Sequence, residues 1–131
     1  NRFEPGKKPM STMAPTMIFN KDGELSLITG SPGGSLIPAA ILRVVTGVID
    51  FELDIGQATM LPRVHKDWPT TGILHERTLN ADSIRGIRNI GHKMTPEHTM
   101  GSTQSIHIVD GVNYGYADLR RPNASVSTQA N

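Results

Sequence analysis

Leu25-Ser26-Leu27-Ile28-Thr29-Gly30-Ser31-Pro32-Gly33-Gly34-Ser35 reads as an apolar strand, a glycine-rich turn and the entrance to a strongly apolar helix. Gly33 and Gly34 lack a Cβ, so their backbone can take positive φ and come close to a ligand, while the helix that follows leaves its first N–H groups unpaired. Two readings follow from these residues alone. One is an oxyanion or anion cradle in which backbone donors carry the chemistry. The other is a tight strand-to-helix turn with no ligand, since paired glycines are common punctuation.

The flanking sequence sets this turn in a layered frame. Upstream, Thr16-Met17-Ile18-Phe19 and Leu25-Ser26-Leu27-Ile28 bracket Asn20-Lys21-Asp22-Gly23-Glu24, whose Asp-Gly pair supplies the turn chemistry of a β-hairpin. Downstream, residues 36–49 are apolar almost throughout, with Arg43 and Thr46 among the few exceptions, which predicts a helix buried over most of its circumference. Pro38 falls in the first turn, where it is tolerated. Asp54 is placed to cap a short helix through Met60 that stops before Pro62. Gly72-Ile73-Leu74-His75-Glu76 predicts a strand, and residues 80–90 a helix closed by Gly91. A second hairpin joins Ser105-Ile106-His107-Ile108-Val109 to Val112-Asn113-Tyr114-Gly115-Tyr116 across Asp110-Gly111. Residues 123–131 close a polar, small-residue tail expected to be disordered. There are no internal repeats. Two hairpins and a helix without a strongly polar face imply a layered α+β protein of which this chain supplies part of the sheets and part of the helices.

Composition narrows the function classes. A chain of 131 residues can form one small domain that buries roughly two-thirds of its unfolded surface. The net charge is +1 and the longest basic runs are the pairs Lys7-Lys8 and Arg120-Arg121, so there is no electrostatic case for nucleic acid. The absence of cysteine excludes disulfides, thiolate nucleophiles and cysteine-based zinc sites. No apolar run approaches the ~18 to 20 residues that span a bilayer, so no membrane span is expected. The opening segment Asn1-Arg2-Phe3-Glu4-Pro5-Gly6-Lys7-Lys8-Pro9 is irregular and carries no signal-peptide pattern, as expected of a fragment whose targeting signals lie upstream.

Six motifs, in order, are more specific than their physics. Pro9-Met10-Ser11-Thr12-Met13-Ala14-Pro15-Thr16 is followed by residues 27–35, then Ile49-Asp50-Phe51, Leu61-Pro62-Arg63-Val64-His65, Met100-Gly101-Ser102-Thr103-Gln104-Ser105 and Tyr116-Ala117-Asp118-Leu119-Arg120-Arg121-Pro122. Their order and spacing resemble those of gamma-glutamyltransferases, and the resemblance covers nearly the whole chain up to Pro122. It implies an N-terminal-nucleophile hydrolase-like αββα four-layer sandwich, two stacked antiparallel sheets between helical layers, matured by self-cleavage into a large and a small subunit. Residues 1–122 then correspond to the C-terminal part of the small subunit, with the large subunit and the upstream part of the small subunit as partners. The implied reaction attacks the γ-glutamyl amide of glutathione or a related compound through a threonine acyl-enzyme and passes the acyl group to water or to an amino acid or peptide amine. No cofactor is implied. Bacterial members are typically exported, which implies a periplasmic or secreted location.

The resemblance also assigns residues. Gly33 and Gly34 match the oxyanion-forming glycine pair. Ser11 and Thr12 stand where the family has two adjacent serines that hold the α-carboxylate of the γ-glutamyl group; Thr12 keeps the hydroxyl and adds a methyl. Asn1 has neither hydroxyl nor thiol, so the nucleophilic threonine is expected upstream, and this chain alone is expected to be inactive. Leu36 stands where many bacterial members have arginine, which leaves acceptor-side contacts open, and Leu119 replaces a usual proline. The alternatives are a related acylase acting on β-lactam side chains, a poly-γ-glutamate processing enzyme, or a non-catalytic remnant or binding module.

The remaining polar residues take structural readings. Arg63 and Arg120 are expected in buried ion pairs or carbonyl contacts, and Gly101-Ser102-Thr103-Gln104 in a structural turn near the site. His65, His75, His92, His98 and His107 show no metal-ligand spacing. The methionines serve packing. Thirteen glycines and nine prolines exceed the usual combined share of about 12%, so the chain is expected to need a partner to cover its apolar surfaces.

Overall fold

The computed structural model describes residues 2–8, 12–69 and 72–128. In chain order the elements are β1 (Thr16–Phe19), β2 (Leu25–Gly30), α1 (Ile37–Ile49), α2 (Ile55–Met60), β3 (Val64–His65), β4 (Gly72–Glu76), α3 (Ala81–Asn89), β5 (Lys93–Glu97), β6 (Gln104–Val109) and β7 (Val112–Ala117). A single 3-10 turn at Gly34–Leu36 leads into α1. Both hairpins form where the sequence places them. Asn20 organises the first, its Oδ1 accepting from the N–H groups of Asp22 and Glu24 at 3.0 and 2.9 Å.

The two hairpins join through β2 and β6 into a four-stranded antiparallel sheet of order β1-β2-β6-β7. Thr29 faces Ser105 in this register, and their hydroxyls share a buried hydrogen bond of 2.8 Å. On the same face Leu27 packs with Val44 of α1 and Ile55 of α2, and Ile18, Val45, Val48 and Tyr116 close around them. Each fully buried member, such as Leu27 or Val44, contributes about 1.5–3 kcal/mol by leaving water. Asp54 caps α2 reciprocally with Gln57, as S/T/D-type capping boxes do.

Two features add to the sequence reading. Helix α1 buries one stripe, Ile37, Ala40, Ile41, Val44 and Gly47, at the i, i+3, i+4, i+7 spacing of a single face. Its other side is open, with Leu42 62% and Ile49 52% exposed, because only the sheet and α2 cover it within this chain. A separate small sheet, of order β3-β4-β5, contains a parallel pair: β4 and β5 are joined by α3, as a parallel pair requires a crossover. Strand β5 carries Lys93, Pro96 and Glu97, so it lacks the apolar alternation by which strands are read; Pro96 is tolerated because β5 is an edge.

The two sheets are tied together at their ends by four charged side chains. Arg63, just before β3, donates from Nη2 to Asp118 Oδ2 at 2.7 Å and to Thr103 Oγ1 at 3.1 Å, and from Nη1 to the Met100 carbonyl at 2.6 Å. Arg120 grips Glu76 with two parallel bonds, Nε to Oε1 at 2.6 Å and Nη2 to Oε2 at 2.7 Å, and reaches Asp118 Oδ1 at 3.1 Å. It also caps the C-terminal end of α2 through the carbonyls of Thr59 and Leu61. The carboxylates accept backbone N–H groups in turn, Glu76 from Arg63 and Met100, Asp118 from Thr103 and Arg120. These contacts give Arg63 and Arg120 the structural role expected from the sequence.

Burial works against charge in all four groups, and the pairing decides the outcome. For Glu76 the burial penalty is outweighed by Arg120 and the backbone donors, and for Asp118 by the backbone N–H groups and Arg63, so both carboxyls are held below their ordinary values. Arg120 is held above its ordinary value because Glu76 outweighs burial. Arg63 goes the other way, lowered by burial and then by the Arg120 cation. Among the described residues its Nε has no hydrogen-bond partner.

Arg63→Ala in the assembled protein should therefore cost about 3–5 kcal/mol in denaturant unfolding, since it strands a buried carboxylate. Acid should act on the same network. With folded values below the ordinary 4.5 and 3.8 of Glu76 and Asp118, their stabilisation is complete above those pH values and is lost as the pH falls through the lower folded ones. The unfolding midpoint followed from neutral pH downward should stay level until that window and then drop.

Candidate active site

Gly33 and Gly34 sit at φ +145° and +58°, a conformation that side chains rarely adopt. Their carbonyls are turned into the fold. Gly33 O accepts from Leu36 N at 3.0 Å, and Gly34 O accepts from the N–H of Ile37 and from Thr12 Oγ1 at 2.9 Å. The N–H groups of both glycines make no hydrogen bond among the described residues. The turn thus leaves two adjacent backbone donors for an anionic oxygen, the arrangement that stabilises a tetrahedral oxyanion.

A second loop walls the turn. Gly101, at φ +70°, lies so close to it that a Cβ there would stand 2.6 Å from Ser31 Oγ, 3.1 Å from Ala40 Cβ and 3.3 Å from the Pro32 carbonyl. Ser31 Oγ donates to that carbonyl at 2.8 Å and accepts from Ser102 N at 3.0 Å. Residues 101–103 are therefore a structural turn against the site, as the sequence suggests, and the buried Ser102 and Thr103 anchor it.

On the other flank stands a group that sequence reasoning missed. Ser35 Oγ donates to Asp67 Oδ2 at 3.3 Å, and His65 Nε2 donates to Asp67 Oδ1 at 2.8 Å. His65, through its hydrogen bond, is the main reason that the Asp67 carboxyl lies below its ordinary range, with Ser35 adding to it against a small burial penalty. Thr12 is brought to the glycine turn through its bond to Gly34. Ser11 lies outside the described residues. His75 is spent locally, Nδ1 donating to the Glu76 carbonyl at 2.9 Å.

The gamma-glutamyltranspeptidase family profile matches residues 1–128. The chain belongs to the gamma-glutamyltranspeptidase family. It is 40% identical over 121 residues to the glutathione hydrolase proenzyme of Escherichia coli, covering 92% of this chain and 21% of that protein. It is 31% identical over 129 residues to the glutathione hydrolase proenzyme of Bacillus subtilis, covering 96% of this chain and 22% of that one. The chain thus spans about a fifth of the length of these curated relatives. The crystal structure of a Helicobacter pylori gamma-glutamyltranspeptidase mutant superimposes with a TM-score of 0.83 at 31% identity, covering 91% of this chain and 66% of that chain. The mixed helices and sheets of this chain are part of an N-terminal-nucleophile hydrolase-like sandwich.

The two glycine loops should respond differently to a methyl group. A Cβ at Gly34 meets nothing within 4 Å, so Gly34→Ala in the assembled protein should cost only the left-handed strain of about 1–2 kcal/mol. Gly101→Ala adds overpacking against Ser31 and Pro32, about 1–3 kcal/mol more. Denaturant midpoints of the two variants should rank accordingly, and an equal loss would contradict the close packing of the 101–103 turn.

Proposed function

We infer that residues 1–122 form the C-terminal part of the small subunit of an enzyme that cleaves γ-glutamyl amides such as glutathione. One observation carries the reading: a left-handed Gly33-Gly34 turn whose N–H groups make no hydrogen bond among the described residues, with Thr12 drawn onto its carbonyl side. In the assembled enzyme the nucleophile is a threonine supplied by sequence outside residues 1–131 and exposed by autoprocessing. Its hydroxyl oxygen attacks the γ-carbonyl carbon as its proton passes to the threonine's own α-amine. The oxygen that becomes negative is met by the N–H groups of Gly33 and Gly34; a donor of this kind contributes roughly 2.7–4 kcal/mol in other hydrolases.

The C–N bond then breaks, the leaving amine takes the proton, and the γ-glutamyl ester remains. Water or an amine reverses the sequence and frees the threonine. Ser11 and Thr12 hold the substrate α-carboxylate by donating their hydroxyl protons to it, Thr12 turning its proton from the Gly34 carbonyl to the carboxylate. The partners are the large subunit and the upstream part of the small subunit. They cover the apolar outer faces, Leu42 and Ile49 on α1 and Met17 and Ile106 on the outer side of the four-stranded sheet. The enzyme works in the periplasm or outside the cell.

Ser11→Ala tests the reading in the assembled enzyme. It removes a hydrogen bond to a charged group, about 1.5–3 kcal/mol, so kcat/KM for a γ-glutamyl anilide should fall roughly 10- to 100-fold. An unchanged kcat/KM would remove Ser11 from the carboxylate pocket.

A further inference from the structure

We propose that Asp67 selects the acceptor of the acyl transfer, favouring amines whose surroundings carry positive rather than negative charge. The proposal rests on the acyl-transfer reading above and adds a residue to it. Ser35 follows Gly34 directly in the chain, so its hydrogen bond to Asp67 Oδ2 sets a carboxylate at the edge of the glycine turn. The other oxygen is fixed by His65 Nε2 at 2.8 Å. His65 is only 12% exposed, whereas Asp67 is 43% exposed, so the carboxylate is held from below and opens to solvent. Its depressed pKa keeps it ionised at neutral pH.

A fixed, oriented negative charge at this place acts on what arrives after acylation. Amine acceptors reach the site as ammonium ions, and a carboxylate at the rim raises their local concentration. The ammonium first gives a proton to the threonine's α-amine, and on attack the neutral nitrogen gains positive charge as the N–C bond forms. It returns to neutrality when its proton passes to the threonine oxygen released as the ester C–O bond breaks. A carboxylate nearby favours the charged stage of that sequence and disfavours an acceptor that brings its own carboxylate close. Water gains nothing from the charge. Ser35 and His65 supply orientation: each donates to one oxygen, so the carboxylate cannot rotate away from the turn.

The test compares two acceptors of one shape with a single γ-glutamyl anilide donor in the assembled enzyme. Glycylglycine is a zwitterion and glycylglycinamide a cation. The wild type should favour the amide several-fold in kcat/KM at 50 mM salt, and the preference should shrink towards one at 0.5 M salt, where screening is much shorter-ranged. Asp67→Asn keeps an oxygen and the shape while removing the charge, and should lower the amide-to-acid ratio three- to tenfold. A wild-type ratio near one at low salt, or a ratio that Asp67→Asn leaves unchanged, overturns the proposal. The salt series needs no variant, so the proposal stays falsifiable if Asp67→Asn fails to fold. Absence of γ-glutamyl hydrolysis in the wild type is a separate result: it overturns the function reading itself, and this inference with it.

Discussion

Two arginines and two carboxylates meet in a nearly dry space where the ends of both sheets and the C-terminal end of α2 converge. Arg63 and Asp118 are 1% and 0% exposed, and Arg120 and Glu76 little more. Taking four charges from water is costly, and the cost is offset here because almost every donor and acceptor finds a partner, many of them backbone groups. Alternation of charge matters as much as pairing: Arg120 touches both carboxylates, so neither acid faces an uncompensated neighbour. The network fixes a geometry more than it adds net stability. The carbonyls and amides it holds belong to segments with no regular structure of their own.

One of those segments carries the network to the site. Both polar atoms of the Met100 backbone are taken, its N–H by Glu76 and its carbonyl by Arg63. Gly101 and Ser102 follow immediately, and Ser102 N is bonded to Ser31, two residues before Gly33. The ion network therefore sets the position of the loop that lies against the glycine turn. Arg63 and Glu76 are thereby linked to the glycine turn along Met100, Gly101, Ser102 and Ser31. This explains how residues that touch no substrate in the proposed reaction can still matter to it.

Local rules made much of the fold legible. The Asp-Gly turns, the Asp54 cap and Gly91 each act within a few residues, so the sequence around them is enough. Arg63 and Arg120 were read as structural residues, and the structure pairs them with Asp118 and Glu76. Strand β5 was not legible, since its pairing with β4 is parallel and nonlocal while Lys93, Pro96 and Glu97 erase the alternation. The Asp67 group was equally hidden. Ser35 and Asp67 lie 32 positions apart and meet only because α1, α2 and β3 fold the chain back on itself. Within the candidate site, the glycine pair was visible from its composition, and its charged flank was not.

The open faces have the same origin as the closed one. Helix α1 uses its small and branched residues, Ala40, Ile41, Val44 and Gly47, against the sheet and α2; at Gly47 a Cβ would approach Ala58 Cβ to 2.8 Å. That close approach spends the tightest side of the helix inside the chain and leaves Leu42 and Ile49 pointing outward. Across the layer, Met17, Ile28 and Ile106 stand side by side in register on the far face of the sheet, with Met17 and Ile106 65% and 40% exposed. A helix layer on a sheet, apolar on both outer sides, is half of a four-layer stack. The sheet face is shaped to receive another sheet at about 10 Å, and the helix face to receive side chains from elsewhere. The charged network lies at the end of the strands and not on either open face, so stacking can complete the core without burying any further charge.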